Sequence, residues 1–297
     1  MSLAPRLADP DAYLSAPRKA VALIGMSGVG KTSVAQMLRR SGGWFHYSVD
    51  YRIGTRYMGE HIVDEFKRAA MRTPLLRELL MSDSIYIGSN ITFENLAPLS
   101  TYLGKPGDPD KGGLPFEDYV RRQRQHREAE IAALLDAPDF IVKAREIYGY
   151  AHFLCDTGGS ICEVVDPEDP TDPVLVELSD AMLLVRIRET DAMADELRRR
   201  FDANPKPMYY DEGFLRGIWA EYLDATRLPE TQIDPDAFIR WGFSRLLERR
   251  RPIYEAIARN WGVTVEASEI AALRAPADFD AMIARALDRR GGLRRIV

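Results

Sequence analysis

Cysteine is scarce in this chain: Cys155 and Cys162 are the only two among 297 residues. A disulfide framework or a cysteine-built metal centre needs more thiols than that, so both are expected to be reduced thiols of a cytoplasmic protein. Basic charge is not in excess either. The formal net charge is −5, which argues against the broad basic footprint of a nucleic-acid binder and leaves room for a local basic pocket. No apolar run approaches the roughly 20 residues that cross a bilayer. The opening stretch MSLAPRLADPDAYLSAPRK lacks the apolar core of an export signal. Internal repeats and low-complexity tracts are absent as well. What is left, 46% hydrophobic and 29% charged, describes a globular chain long enough for one large domain or two small ones.

Short apolar runs bounded by turn residues recur along the chain: KAVALI (19–24), WFHYSV (44–49), YAHFLC (150–155), AMLLVRI (181–187) and GVTVEA (262–267). Each reads as a buried strand. Helical periods lie between them at 31–40, 61–81, 115–135, 190–201, 235–260 and 277–290, with Thr190 placed to cap its helix. Residues 1–17 read as a mobile lead-in, and 102–115, 166–173 and 202–213 as loops. Strands that alternate with helices imply βαβ units and an α/β fold with a five-stranded parallel sheet, whose strand C-termini share one edge.

The first of these strands runs into GMSGVGKT, residues 25–32, and then into a helix. That is G-x-x-x-x-G-K-[ST] in the setting the motif requires. Glycines let the backbone curl until successive N–H groups converge, and those donors together with a helix N-terminus form a phosphate cradle. Gly25, Ser27, Gly28, Val29, Gly30, Lys31, Thr32 and Ser33 are therefore the candidate residues for ATP. Lys31 would reach the β- and γ-phosphates, and the Thr32 hydroxyl would ligate Mg²⁺. GTP is disfavoured because no N-K-x-D sequence is present to read a guanine edge.

Three further stretches carry a resemblance. Asp50 follows the second strand, DTGGS (156–160) follows the third, and LLERRRPIYEAIARNWGVTVEAS spans 246–268. Together with the loop, in this order, they resemble the shikimate kinase family of nucleoside-monophosphate-kinase-like P-loop kinases, over about 19–54 and 114–290. The resemblance implies a three-layer α/β/α P-loop fold and phosphoryl transfer to a hydroxyl. It implies that Asp50 binds the acceptor hydroxyls, that Arg127 of HREAE, where Arg127 and Glu130 match the family's R-x-x-E, pairs with a carboxylate of the acceptor from the helix beneath it, and that Gly158 and Gly159 offer it backbone N–H groups. It further implies that Arg250 of RRPIY faces an acceptor carboxylate, with Arg249 or Arg251 in its place if the register shifts. Arg200, or Arg199, would stack on adenine, and Lys206 would close over the phosphates. A strand-end cap for Asp50 and a solvated helix face for Arg127 are the plainer readings.

Three departures stand out. His126 replaces an aromatic, Ser160 a third glycine, and Ser48 the family's usual metal-supporting Asp. Asp156 ends an apolar strand as a Walker-B carboxylate does, so it is the candidate to hold Mg²⁺ through water in place of Ser48. Two segments exceed the family pattern: an insertion at 55–113 on the acceptor side, and an enlarged lid region at 202–234 whose Tyr209, Tyr210, Phe214, Trp219 and Tyr222 read equally as core. The expectation is one kinase-like domain over 1–297 using ATP and Mg²⁺ on a small, anionic acceptor other than shikimate, with no nucleic-acid or membrane partner. The alternative is an ATP-binding regulatory protein or ATPase whose 55–113 insertion binds a protein partner. A nucleoside-monophosphate kinase is disfavoured, since D-G-[FY]-P-R is missing after the third strand.

Overall fold

The computed structural model describes residues 9–291. In chain order its elements are α1 (Pro10–Ser15), β1 (Ala20–Ile24), α2 (Lys31–Arg40), β2 (Trp44–Ser48), α3 (Val49–Arg52), α4 (Gly59–Ala70), α5 (Pro74–Met81), α6 (Ala97–Leu103), α7 (Phe116–Leu135) and α8 (Ala137–Glu146). Then follow β3 (His152–Asp156), α9 (Pro173–Ala181), β4 (Leu183–Arg188), α10 (Asp191–Ala203), α11 (Glu212–Thr226), α12 (Pro235–Trp261), β5 (Gly262–Glu266), α13 (Ala267–Ala272) and α14 (Pro276–Arg290).

These elements form two compact units. The first comprises 1–49, 131–204 and 242–297, and the second comprises 50–130 and 205–241. The first holds a five-stranded sheet in the order β2-β3-β1-β4-β5, every pair parallel. All five residues of β1 are buried and so are the first five of β4, as a parallel strand covered by helices on both faces requires. The fold is thus α/β with an all-parallel five-stranded sheet, as the alternation of strands and helices predicts. Because β1 is central, its C-terminal loop opens at the carboxyl edge between the ends of β3 and β4, the edge where ligands of such sheets collect.

Local chemistry explains most boundaries. Asp172 accepts from the Val174 and Leu175 N–H groups and precedes Pro173, which starts α9. Thr190 accepts from the Met193 N–H at 3.2 Å and caps α10. Several expectations are corrected. The lead-in is helical at Pro10–Ser15, where Asp9 caps α1 and Tyr13 is buried; residues 1–8 lie outside the described residues. The second strand ends at Ser48, since Val49 already begins α3. The third includes Asp156. Helices α8, α9 and α13 carry apolar stripes too short for the period to declare itself.

The second unit is helical, and its described residues hold no strand beyond a single Pro106–Leu114 bridge. Its core is aromatic. Phe116 stacks on Trp219 with ring centres 4.7 Å apart, and Phe238 meets Trp219 edge-on at 4.7 Å. Tyr209, Tyr210 and Trp219, which the sequence left between core and acceptor cavity, are buried. On its surface Arg216 pairs bidentately with Glu117 at 2.7 and 2.9 Å, and Arg124 with Glu212 at 2.6 and 2.7 Å. Helix α5 differs from the rest: it has no buried residue, although Leu75, Leu76, Leu79, Leu80 and Met81 all belong to it.

Candidate functional site

The loop after β1 has the backbone that its glycines predict. Gly25 has φ +147°, and a Cβ there would stand 2.8 Å from the Ile187 carbonyl oxygen of β4. Gly30 has φ +100° and caps α2, where a Cβ would meet an Ile270 methyl at 2.8 Å. Only glycine holds both places without strain. Around Gly28 nothing lies within 4 Å of a built Cβ. Ser27, Gly28, Thr32 and Ser33 are exposed along this opening, and Val29 packs beneath it.

Lys31 is buried at 6% exposure, and its ammonium donates to the carbonyls of Gly25 at 2.6 Å and Met26 at 3.0 Å. The charge is thus folded inside the ring of the loop. Thr32 Oγ1 donates to Asp156 Oδ2 at 3.2 Å. The other oxygen, Asp156 Oδ1, accepts from the Gly158 N–H at 3.1 Å. Thr157 fastens the same turn to β1 by donating its hydroxyl to the Leu23 carbonyl at 2.9 Å. A buried carboxylate beside a threonine hydroxyl is a hard-oxygen pair, the donor chemistry Mg²⁺ prefers. Among the described residues no cluster of three or more metal-ligating side chains exists, and a Mg²⁺ shared with phosphates and water needs none.

The Gly158–Gly159 turn backs onto the loop, since a Cβ on Gly159 would come within 3.5 Å of the Ser27 nitrogen. Arg250 holds this turn from behind. It donates through Nη1 to the Gly159 carbonyl and through Nε to Glu163 Oε1, both at 2.8 Å. Arg250 is 4% exposed. Burial works most strongly against its charge, but the Glu163 carboxylate together with Cys162 and Tyr254 more than offsets that and holds the guanidinium above its ordinary range. Arg249 approaches the other Glu163 oxygen, with Nε at 3.5 Å, whereas Arg251 turns away to Glu189 at 3.0 Å and Asp191 at 2.7 Å. Of the three, Arg250 is the one that reaches the glycine turn, through a carbonyl it supports.

Beside the loop lies a cavity of about 260 Å³ whose walls include Met26, Val29, Met193, Leu197 and Arg200. Arg200 lines it and is tethered to Glu196 at 2.8 Å, whereas Arg199 reaches the same glutamate without lining the cavity. The remaining expected residues belong to the second unit. Asp50 sits half-buried at the start of α3, and Arg127 is exposed on α7. The period of α7 puts His126 and Glu130, not Arg127, on its buried face, with His126 Nδ1 3.7 Å from Glu130 Oε2. Lys206 lines a cavity with residues of 94–112.

Two buried charges escape a motif-led reading. Glu163 is one. The only sign of it in the sequence is a lone acid in the apolar stretch ICEVV. Arg186 is the other, a charge inside the β4 run LLVRI, with Glu255 at 3.5 Å and Glu189 at 3.9 Å. Both cysteines are buried and form no disulfide. Burial pushes the Cys155 thiol well up, and the neighbouring Asp156 charge adds to it, which makes it a poor nucleophile.

No protein-family model matches the chain. No curated protein matches it either. Among solved structures it is similar to a shikimate kinase from Bacteroides thetaiotaomicron, with 14% identity and a TM-score of 0.37 over 92% of this chain and 96% of that one. At that score the likeness adds nothing to the fold, which rests on the sheet itself. Among the described residues no helix is long and apolar enough to cross a membrane.

Proposed function

We propose that this protein is an ATP-dependent phosphotransferase whose acceptor is a hydroxyl of a small, anionic metabolite. One observation carries the reading. A glycine loop curls around a buried Lys31, and the threonine that follows the lysine touches a strand-end carboxylate, Asp156, at 3.2 Å. Loop, cation and oxygen pair are the parts that phosphoryl transfer needs, because catalysis in this reaction is positioning and charge stabilisation.

In this reading the N–H groups from Gly28 to Thr32 hold the phosphates and Lys31 leaves its carbonyl partners to neutralise the transferring group. Thr32 and Asp156 hold Mg²⁺, which when bound spreads the phosphate charge. Met26, Val29 and Leu197 flank the nucleotide, and Arg200 stacks on its base. Asp50 accepts the proton of the acceptor hydroxyl. Arg127 is available to an acceptor anion; in the turn that Arg250 supports, Gly158 gives its N–H to Asp156, which leaves the Gly159 backbone for the acceptor.

The test is an ADP-release screen over sugars, polyols, hydroxy acids and nucleosides, with Lys31→Ala as the blank. Acceptor-stimulated turnover that the blank lacks is expected. A clean negative across all four classes removes the reading. Asp156→Asn should raise the Mg²⁺ needed for half-maximal turnover by about tenfold or more, of the size reported for altered metal sites. An unchanged Mg²⁺ titration takes Asp156 out of the metal site.

A second reading, an ATP-binding regulatory protein or ATPase, has one observation in its favour. Leu75, Met81 and Tyr86 of the 55–113 segment are 64%, 73% and 94% exposed, and large exposed apolar groups mark interaction surfaces. Turnover stimulated by a protein and by no small acceptor would favour it.

A further inference from the structure

The second unit contains a cavity of about 630 Å³ that shares no residue with the loop after β1. It is bounded by the turn before α6, the C-terminal end of α6, the Pro109–Lys111 turn, the 205–207 loop and the first turn of α12. That volume falls within the roughly 300–1,000 Å³ of small-molecule sites. Three ammonium groups line it, and they are not equivalent. Lys105 is committed to the fold: it bonds Asp236 at 2.5 Å and the Pro205 carbonyl at 2.7 Å, which ties the 205 segment to α12. Lys111 has only a distant carboxylate, Asp108 at 3.9 Å. Lys206 has no ion pair among the described residues.

Two cations from different segments therefore border one concavity, Lys111 with a carboxylate no nearer than 3.9 Å and Lys206 with no ion pair among the described residues, and an ammonium on a flexible stem answers best to a phosphate or carboxylate. The remaining lining mixes the polar Asn95 and Ser100 with Leu96, Ala97 and two prolines. Thr101 presents a hydroxyl and Glu94 a carboxylate. At Gly112 a built Cβ would meet nothing within 4 Å, so the backbone there stands open. No aromatic ring lines the cavity, which disfavours a nucleobase, and the lysines disfavour an apolar ligand. We infer that the second unit binds a small hydroxylated anion of the sugar-phosphate type in this cavity, with Lys111 and Lys206 holding its charge.

The inference does not depend on phosphotransfer, and the experiment keeps the two apart. The full chain carrying Lys31→Ala, which weakens phosphate binding at the loop, is titrated calorimetrically with glucose 6-phosphate and with glucose. Binding of the phosphate and none of glucose is expected. Adding Lys111→Ala should weaken binding about tenfold or more, as loss of a charged hydrogen bond does, and Lys111→Arg should retain most of it. Lys111 is exposed on a turn, and an unchanged melting curve confirms that its variants fold. No binding at about 20 mM, well above a millimolar dissociation constant, overturns the inference. Equal affinity in Lys111→Ala, or equal affinity for glucose, does the same. Mg·ATP titration of the unaltered chain tests the loop separately.

Discussion

A cluster of buried charges at the sheet edge of the first unit contrasts with a network of surface ion pairs on the second. In the first, Lys31, Arg250, Asp156 and Glu163 are all buried beneath or beside the sheet's carboxyl edge, each held by hydrogen bonds, and Arg186 is buried beside Glu255 at 3.5 Å. In the second, the strongest ion pairs lie on the surface. Glu212 accepts from both Arg124 and Arg216, and those bonds bring its carboxyl down to about 2. A buried charge that loses its partner faces the full cost of desolvation, whereas a surface charge falls back on water. The buried cluster of the first unit is therefore built to keep one arrangement. The second can exchange surface partners at little cost.

This contrast can be broken at graded positions. Lys31→Ala should have the largest effect, a loss of about three or more powers of ten in turnover at unchanged fold, consistent with removal of a charge-stabilising group; single-turnover kinetics measure it. Arg250→Met removes the nearer of two guanidinium groups from the buried Glu163, leaving Arg249 at 3.5 Å, and should cost up to about 3–5 kcal/mol of stability. It would be read as a lower urea midpoint at constant slope. Adding Glu163→Leu should recover most of that loss, and a double variant no better than the single would show that the pair is not the cause. Glu212→Gln, despite the larger number of visible bonds, should cost under about 1 kcal/mol once solvent screening is counted. A loss as large as that of Arg250→Met would erase the distinction between the units.

The smallest effect is one of pH. His152 accepts the Lys19 N–H through Nδ1 at 3.1 Å. Burial lowers its pKa from 6.5 and the Lys19 charge lowers it further, while Asp280 opposes both. The unfolded chain thus takes up this proton first on acidification. The stability contributed is present above pH 6.5 and is lost as pH falls below it toward the folded value. His152→Asn should make the melting temperature less sensitive to acid below pH 6.5, with His46, whose pKa burial also lowers, supplying the slope that remains.

Legibility in the sequence follows the range of the interactions. The loop at 25–32 was readable because glycine placement, strand and helix are all local, and the five strands because each is a short apolar run. Asp156 could be singled out beside Thr32 as a metal candidate because it ends an apolar strand, as a Walker-B carboxylate does. The Arg250–Glu163 pair could not, since 87 residues separate its members and nothing local to either announces the other. Arg127 shows a different limit. A pattern match fixed its position in the chain, but only the phase of α7 decides that Arg127 is exposed and Glu130 buried. The cavity of the second unit was out of reach altogether, because its walls come from segments 100 residues apart joined by Lys105.

Asp280, on α14, takes the Tyr13 hydroxyl of α1 on one oxygen at 2.9 Å and the Lys19 ammonium ahead of β1 on the other at 2.7 Å. A ribosome therefore makes the sheet's middle strand long before it makes the carboxylate that anchors the approach to that strand. Until α14 emerges, the early segment must wait with its apolar residues uncovered, a window in which a chaperone or a wrong neighbour competes for them.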